Sequence, residues 1–284
     1  ILTLIGNQLS NQQKGQVLSQ DVLSFNLSGD FNNQTGILNS QSDTSINANL
    51  VDNAQGVVNA LGRLNIQATQ LIDNHDGRIF SQQAQTLNAH NILNQQGWMG
   101  SLDSWQAKTQ LLNNQSGEIQ SQKNVELTAN ALENQQGTLQ ASGSSSLLVA
   151  NEINNTQGKI SASQGITATG QSVKNQKGQF LSGGTLQLST SNVDNSQGGL
   201  LYSQKQLLLS IENALNNAHG KLQSGENLTL TSKTLDNTSG KIESQHPLNI
   251  TSTERIDNTA GAILSNQNQL LETKTFKNQQ GTVS

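Results

Sequence analysis

One glycine recurs through this chain at Gly15, Gly36, Gly56, Gly77, Gly97, Gly117, Gly137, Gly158, Gly178, Gly198, Gly220, Gly240, Gly261 and Gly281. The mean spacing is about 20.5 residues, and a fixed period in this range marks a stacked-repeat architecture. Around each glycine the text follows one rule: apolar, any, Asn, any, any, Gly, any, apolar. Residues 235–242, Leu-Asp-Asn-Thr-Ser-Gly-Lys-Ile, are a clear copy, and residues 132–139, 153–160, 193–200 and 256–263 repeat it.

Asn, Gln, Ser and Gly dominate the composition, and aromatic residues make up only 3%. Taken alone, that composition reads as a disordered polar chain. The register overrules this reading, because an unconstrained polar tract has no reason to keep Asn and Gly in step over 284 residues.

The columns of the repeat specify strands. Five residues before Gly every copy from Phe31 to Phe276 is apolar, and two residues after Gly every copy from Val17 to Val283 is apolar. A second apolar pair follows about eight and ten residues after Gly, as in Leu64/Ile66, Val125/Leu127 and Leu228/Leu230. Alternation with polar residues is the period of a half-buried strand. Helix is disfavoured, since no i, i+3, i+4 pattern is present and Asn, Gly, Ser and Thr are poor helix-interior residues. One unit of two or three short strands cannot bury its apolar face alone, but parallel coils stacked on one another can. The expected fold is all-β, a right-handed parallel β-helix (solenoid) of about 14 coils of about 20 residues, the hand following from parallel crossovers. At strand spacing such a stack is roughly 65 Å long. We expect residues 1–284 to be a single β-helix repeat domain and a fragment of a longer chain, because no capping unit closes either end.

The column three residues before Gly is Asn33, Asn53, Asn74, Asn94, Asn114, Asn134, Asn155, Asn175, Asn195, Asn217, Asn237, Asn258 and Asn278. Only the first copy departs, with Gln12 in the slot and Asn11 one residue early. Stacked carboxamides can donate and accept between neighbouring coils, so a structural Asn ladder is expected. Asn also tolerates left-handed backbone angles, and Gly is expected to close the corner at positive φ. Sequons such as Asn227-Leu-Thr and Asn237-Thr-Ser arise by chance in so Asn-, Ser- and Thr-rich a chain. In the copy holding Gly198-Gly199 the spacing suggests one extra corner residue.

Little points to chemistry. The net charge is −4 with 12% charged residues, which leaves no basic stripe for nucleic acid and no membrane-surface patch. No apolar run approaches the length of a membrane span, so stable membrane insertion is not expected. There is no Cys, so neither disulfides nor thiolate ligands are available. His75, His90, His219 and His246 are scattered without metal-ligand spacing. Asp52, Asp73, Glu133, Asp194, Asp236 and Asp257 share the column just before the Asn, but that column also accepts Lys174 and Lys277. A column tolerant of Lys is a solvated turn position rather than a catalytic pair. No cofactor, metal site or enzymatic activity is expected. A glycan-cleaving β-helix enzyme is the alternative from another class, and it needs convergent acids in a groove built by long loops.

The two Trp residues read differently. Trp105 falls in the plus-eight apolar column and is expected in the core. Trp98 lies one residue after Gly, where other copies carry Arg78, Glu118, Lys159, Lys221 and Lys241. This column faces out, and Ile37, Val57 and Trp98 around Arg78 form an expected contact patch.

The unit Leu-Asp-Asn-x-x-Gly-x-Ile/Leu-x-Ser-x-x-x-Leu-x-Leu resembles the haemagglutinin repeat of filamentous haemagglutinins and related large exoproteins of two-partner secretion, contact-dependent growth inhibition toxins among them. Residues 235–244 match it nearly in full, and copies cover essentially the whole chain. The resemblance implies a structural β-helix shaft, secreted or on the cell surface of a Gram-negative bacterium, that projects binding or toxin modules located elsewhere. It implies an outer-membrane two-partner-secretion transporter as partner during export, and a host or neighbouring-cell surface receptor as a further partner. The segment itself could alternatively be the receptor-binding region.

Overall fold

The computed structural model describes residues 1–284, and all its regular elements are β-strands. The chain parts into two compact units, residues 1–143 and 144–284. Each is a β-solenoid of parallel stacked coils, with about 14 turns of ~20 residues between the two.

Each coil uses the repeat in the same way. In the first unit Val57–Ala60 follows the corner Gly56, and a longer strand, Leu64–Asp73, runs from the next corner to the next Asn. Val57–Ala60 pairs in parallel with Ile37–Ser40 on one side and Arg78–Ser81 on the other. Leu64–Asp73 pairs with Thr44–Asp52, where Ile46 meets Ile66 and Val51 meets Ile72. The second unit repeats the scheme with Lys221–Ser224 and Leu228–Asp236. The longer strands bend midway, where the register shifts, as between Ala48 and Leu50 or Ser210 and Ala214.

Because successive side chains point to opposite faces, the apolar columns become rows inside each unit. Leu38, Val58, Ile79, Met99, Ile119 and Leu139 form one such row, all fully buried. Ile160, Phe180, Leu201, Leu222, Ile242 and Ile263 form its counterpart in the second unit. Each such side chain contributes about 1.5–3 kcal/mol of burial. Two column members, Phe276 and Val283, lie in the last coil, which has no rung beyond it, and are exposed. Leu200 is a correction: it pairs with Gln179 and Lys221 on the half-buried outer face, and Leu201 holds the core position because the extra glycine shifts the copy by one residue.

The plus-eight row contains Trp105, fully buried as expected. It also contains Gln85, fully buried between its register partners Leu64 and Trp105. Neither Nε2 nor Oε1 of Gln85 has a hydrogen-bond partner, and neither has Trp105 Nε1. An unmade buried amide costs about 1–3 kcal/mol. Gln85→Leu keeps a similar volume and removes two unpaired atoms, so it is expected to stabilise the first unit by about 1–3 kcal/mol, read by denaturant unfolding. A loss of stability in this variant would contradict the assignment.

Candidate contact surface

Three corners set each coil. At the first, the Asn side chains are buried and linked from coil to coil. In the first unit Nδ2 of Asn11 donates to Oδ1 of Asn33 at 2.7 Å, and Asn33, Asn53, Asn74, Asn94 and Asn114 continue the row at 2.7 Å each, ending on Asn134. In the second unit the row runs from Asn155 through Asn175, Asn195, Asn217, Asn237 and Asn258 to Asn278, at 2.7–2.8 Å. Most of these amides also donate to the carbonyl of the corner glycine of their own coil and to a carbonyl of the next. Asn94, for instance, reaches Gly97 O and Glu118 O at 3.2 Å each. Asn11 thus fills the slot in the first copy. Asn237 is fully buried, so its sequon is closed to modification in the folded chain, whereas Asn227 is exposed.

The role expected for the corner glycine is corrected. The left-handed residue is the one before it, such as Thr35 (φ 55°), Gln96 (φ 55°) and Ala260 (φ 54°). Neither the ladder Asn nor the corner Gly takes positive φ; Gly198, at 90°, is the only glycine that does. A Cβ on Gly97 would stand 2.7 Å from Asn94 Oδ1 and 3.0 Å from Asn74 Nδ2, and closer still to the backbone oxygen of Asn74. Glycine is required because the preceding coil's backbone passes there. Gly199 meets the same surroundings, while a Cβ on Gly198 would touch nothing. Gly199 is therefore the corner residue of that copy, and Gly198 is the insertion.

The second corner uses the Ser of the repeat unit, whose role went unread in the sequence. Ser residues four positions after Gly turn their hydroxyls inward onto carbonyls. Ser121 Oγ donates to Asp103 O at 2.6 Å and Asn124 O at 2.9 Å, and Ser203 and Ser224 do the same in the second unit. The repeat unit shows this Ser but not the carbonyls that it meets. The third corner, at the bend of the long strands, uses Thr109, Thr190 and Ser252 similarly.

The acidic column before the Asn caps turns. Oδ1 of Asp52, Asp73, Asp194, Asp236 and Asp257 accepts the N–H two residues on at 2.9–3.1 Å. His75 Nδ1 lies 2.8 Å from Asp73 Oδ1, and this hydrogen bond raises the imidazole pKa against the opposing effect of burial. Asp257 is the most perturbed. Burial pushes it up, but the Thr259 hydroxyl and N–H, Arg255 and the Lys277 ammonium at 3.5 Å together bring it down to about 2 from 3.8. A depressed folded-state pKa gives stability that is present above the unfolded value and lost as pH falls through the folded one. We expect this group to contribute about 2 kcal/mol at pH 5 that disappears towards pH 2. Asp257→Asn should flatten that part of the pH dependence in urea unfolding; an unchanged slope would contradict it. No three His, Asp or Glu side chains are grouped so as to hold a metal ion.

The outward column places Ile37, Val57, Arg78 and Trp98 on four consecutive rungs. The neighbouring outward column adds Leu18, Asn39, Asn59, Phe80 and Gly100. Trp98 does not project: its six-membered ring lies where a side chain on Gly100 would stand. Arg78 Cζ sits 4.0 Å from the Trp98 ring centroid and 5.8 Å from that of Phe80, and the two rings stack at 5.9 Å. Phe80 and Gly100 were not singled out in the sequence; they sit two residues after Arg78 and Trp98, the spacing that puts side chains on one strand face.

The haemagglutinin repeat model matches residues 4–74, 60–104, 99–152, 144–201, 184–260 and 255–284. The chain belongs to the haemagglutinin repeat family. No curated protein and no solved structure matches it. A haemagglutinin-repeat β-solenoid fits a structural, adhesin-type shaft, and the family places the chain in a secreted or surface bacterial protein. No helix of the chain is long and apolar enough to cross a membrane.

Proposed function

We propose that the chain is the structural shaft of a bacterial cell-surface adhesin or contact-dependent growth inhibition exoprotein, and that it presents binding or toxin modules carried elsewhere. The observation that supports this most is the uniformity of the repeat: the same three corners and the same interior rows recur through all the family matches. A surface devoted to catalysis would interrupt them with loops. Under this reading the role is mechanical rather than enzymatic. The bacterium is Gram-negative, the export partner is an outer-membrane two-partner-secretion transporter, and the receptor contact lies outside these residues.

The test removes an integral number of coils. Deleting residues 78–117 from the parent protein joins Gly77 to Glu118, a residue equivalent to Arg78, and takes out two turns. Surface display and target-cell adhesion should persist. Loss of adhesion with intact display would favour the second reading, in which the segment itself binds. That reading draws on the Ile37, Val57, Arg78 and Trp98 surface, and Trp98→Ala should then weaken adhesion while leaving folding intact.

A further inference from the structure

The unmade hydrogen bonds of the first unit gather in two adjacent coils. Nine buried side-chain nitrogen or oxygen atoms of the chain have no hydrogen-bond partner, and four of them belong to Gln85, Gln95 and Trp105. The other five lie one to a coil, on Thr44, Gln135, Ser145, Thr169 and Gln269. Gln85 and Trp105 are register partners in the core, in a row where the coils on either side place Leu64 and Val125. Gln95 stands in the turn between them, and that turn also lacks the cap of its neighbours. Asn32, Asp52, Asp73 and Asn113 each accept the N–H two residues on through Oδ1. Leu93, the register partner of Asp73 and Asn113, has no acceptor to offer Gln95.

The backbone is interrupted at the same level. From Thr44–Asp52 onward the long strands run unbroken through their bend, as in Leu64–Asp73 and Val125–Glu133. The two coils between these are the exception. One is split into Gln85–Asn88 and Asn91–Leu93, the other into Trp105–Lys108 and Leu111–Asn113. The apolar rows pass through both unchanged: Leu87, Ile92, Met99 and Leu112 are fully buried, and Trp105 is the largest buried side chain. The two coils therefore differ from their neighbours in polar satisfaction and strand continuity, not in apolar cover. A solenoid coil touches only the coils beside it, so a local deficit is not shared across the unit. Water would satisfy the stranded groups that the closed interior leaves unpaired, which favours opening here over opening elsewhere.

We propose that residues 85–113 form a joint in the first unit, a pair of coils that opens to solvent as one segment while coils farther along the stack stay closed. The inference goes beyond the shaft reading and does not rest on it. Hydrogen exchange of the 284-residue protein, read by mass spectrometry, tests it. Amides in the four short strands between Gln85 and Asn113 should exchange at least about tenfold faster than those of Thr44–Asp52 and Leu228–Asp236, which lie two or more coils away. Gln85→Leu removes two stranded atoms, and Leu93→Asn restores an acceptor of the kind that Asn113 supplies. The double variant should slow exchange across residues 85–113 at least about tenfold and leave both reference strands unchanged. Gln85→Leu alone should slow it in the same direction by a smaller factor. Exchange in the parent protein as slow at residues 85–113 as in the reference strands would overturn the proposal. So would a Gln85→Leu protein, with unchanged circular dichroism, whose residues 85–113 exchange at the parent's rate, or one in which the reference strands slow by the same factor.

Discussion

Replacing Asn94 by Ala is expected to cost the first unit about 3–5 kcal/mol, the range of a broken buried hydrogen-bond network. The side chain is fully buried. Its Nδ2 donates to Asn114 Oδ1 at 2.7 Å and to two carbonyls at 3.2 Å, and its Oδ1 accepts from Asn74 Nδ2 at 2.7 Å. Removing it strands the Oδ1 acceptor of Asn114 where water does not reach, and takes from Asn74 Nδ2 its shortest partner, leaving it the carbonyls of Gly77 and Trp98 at 3.2 Å. A stranded buried group costs about 1–3 kcal/mol, and the cavity adds to it. Asn278 is exposed, so Asn278→Ala should cost under about 1 kcal/mol, a control within the same row. Asn94→Asp separates hydrogen bonding from shape. Its carboxylate would face the oxygens that Nδ2 now serves, so it should be as damaging as Ala at neutral pH. It should recover part of the loss in acid, where the protonated form offers one donor. Denaturant unfolding at two pH values measures all three variants.

Gly97→Ala is expected to be comparably severe, about 3–5 kcal/mol, for a different reason. The new methyl would meet the backbone oxygen of Asn74 and two ladder amides, none of them the free end of a flexible side chain. The coils would have to separate locally or the ladder would have to break, and overpacking of this kind is among the few routes to a large loss. Gly198→Ala meets nothing and should cost only the strain of its 90° φ, about 1–2 kcal/mol. The residue before the corner behaves in the opposite way. Gln96 holds φ 55°, so Gln96→Gly relieves strain and should leave stability within about 1 kcal/mol of the parent. If φ were what demanded glycine at the corner, Gly97→Ala and Gly198→Ala would cost alike.

These two positions also show how far the sequence could be read. The period, the apolar columns and the Asn column specify parallel coils, because no other arrangement buries every apolar column of so short a unit. That glycine recurs was plain, but its cause was not. The cause is the passage of Asn74's backbone beside Gly97 in the next coil, a contact between residues 23 apart. The Gly198-Gly199 pair was ambiguous for the same reason, since only the neighbouring coil decides which of the two lies against it. The Ser of the repeat unit, Ser121 and its equivalents, was visible, but its partners are carbonyls, which carry no sequence signature. Trp98 stands in the same column as Arg78. Its posture depends on Gly100 leaving room two residues along, and Arg78 meets it only because the two are register partners on adjacent rungs. Gln85 shows the converse, a polar residue held inside by the rows on either side of it.

The stacking of carboxamides within each unit is most directly examined through the Asn side chains themselves. In a protein carrying nitrogen-15 only in Asn, solvent exchange of the side-chain Nδ2 protons can be followed by nuclear magnetic resonance. A set of buried amides, Asn53, Asn74, Asn94, Asn217 and Asn237 among them, should keep their protons long after those of exposed residues such as Asn227 and Asn278 have exchanged. Uniformly fast exchange across all Asn side chains would mean that the corners are not joined in this way, and would contradict the architecture built on them.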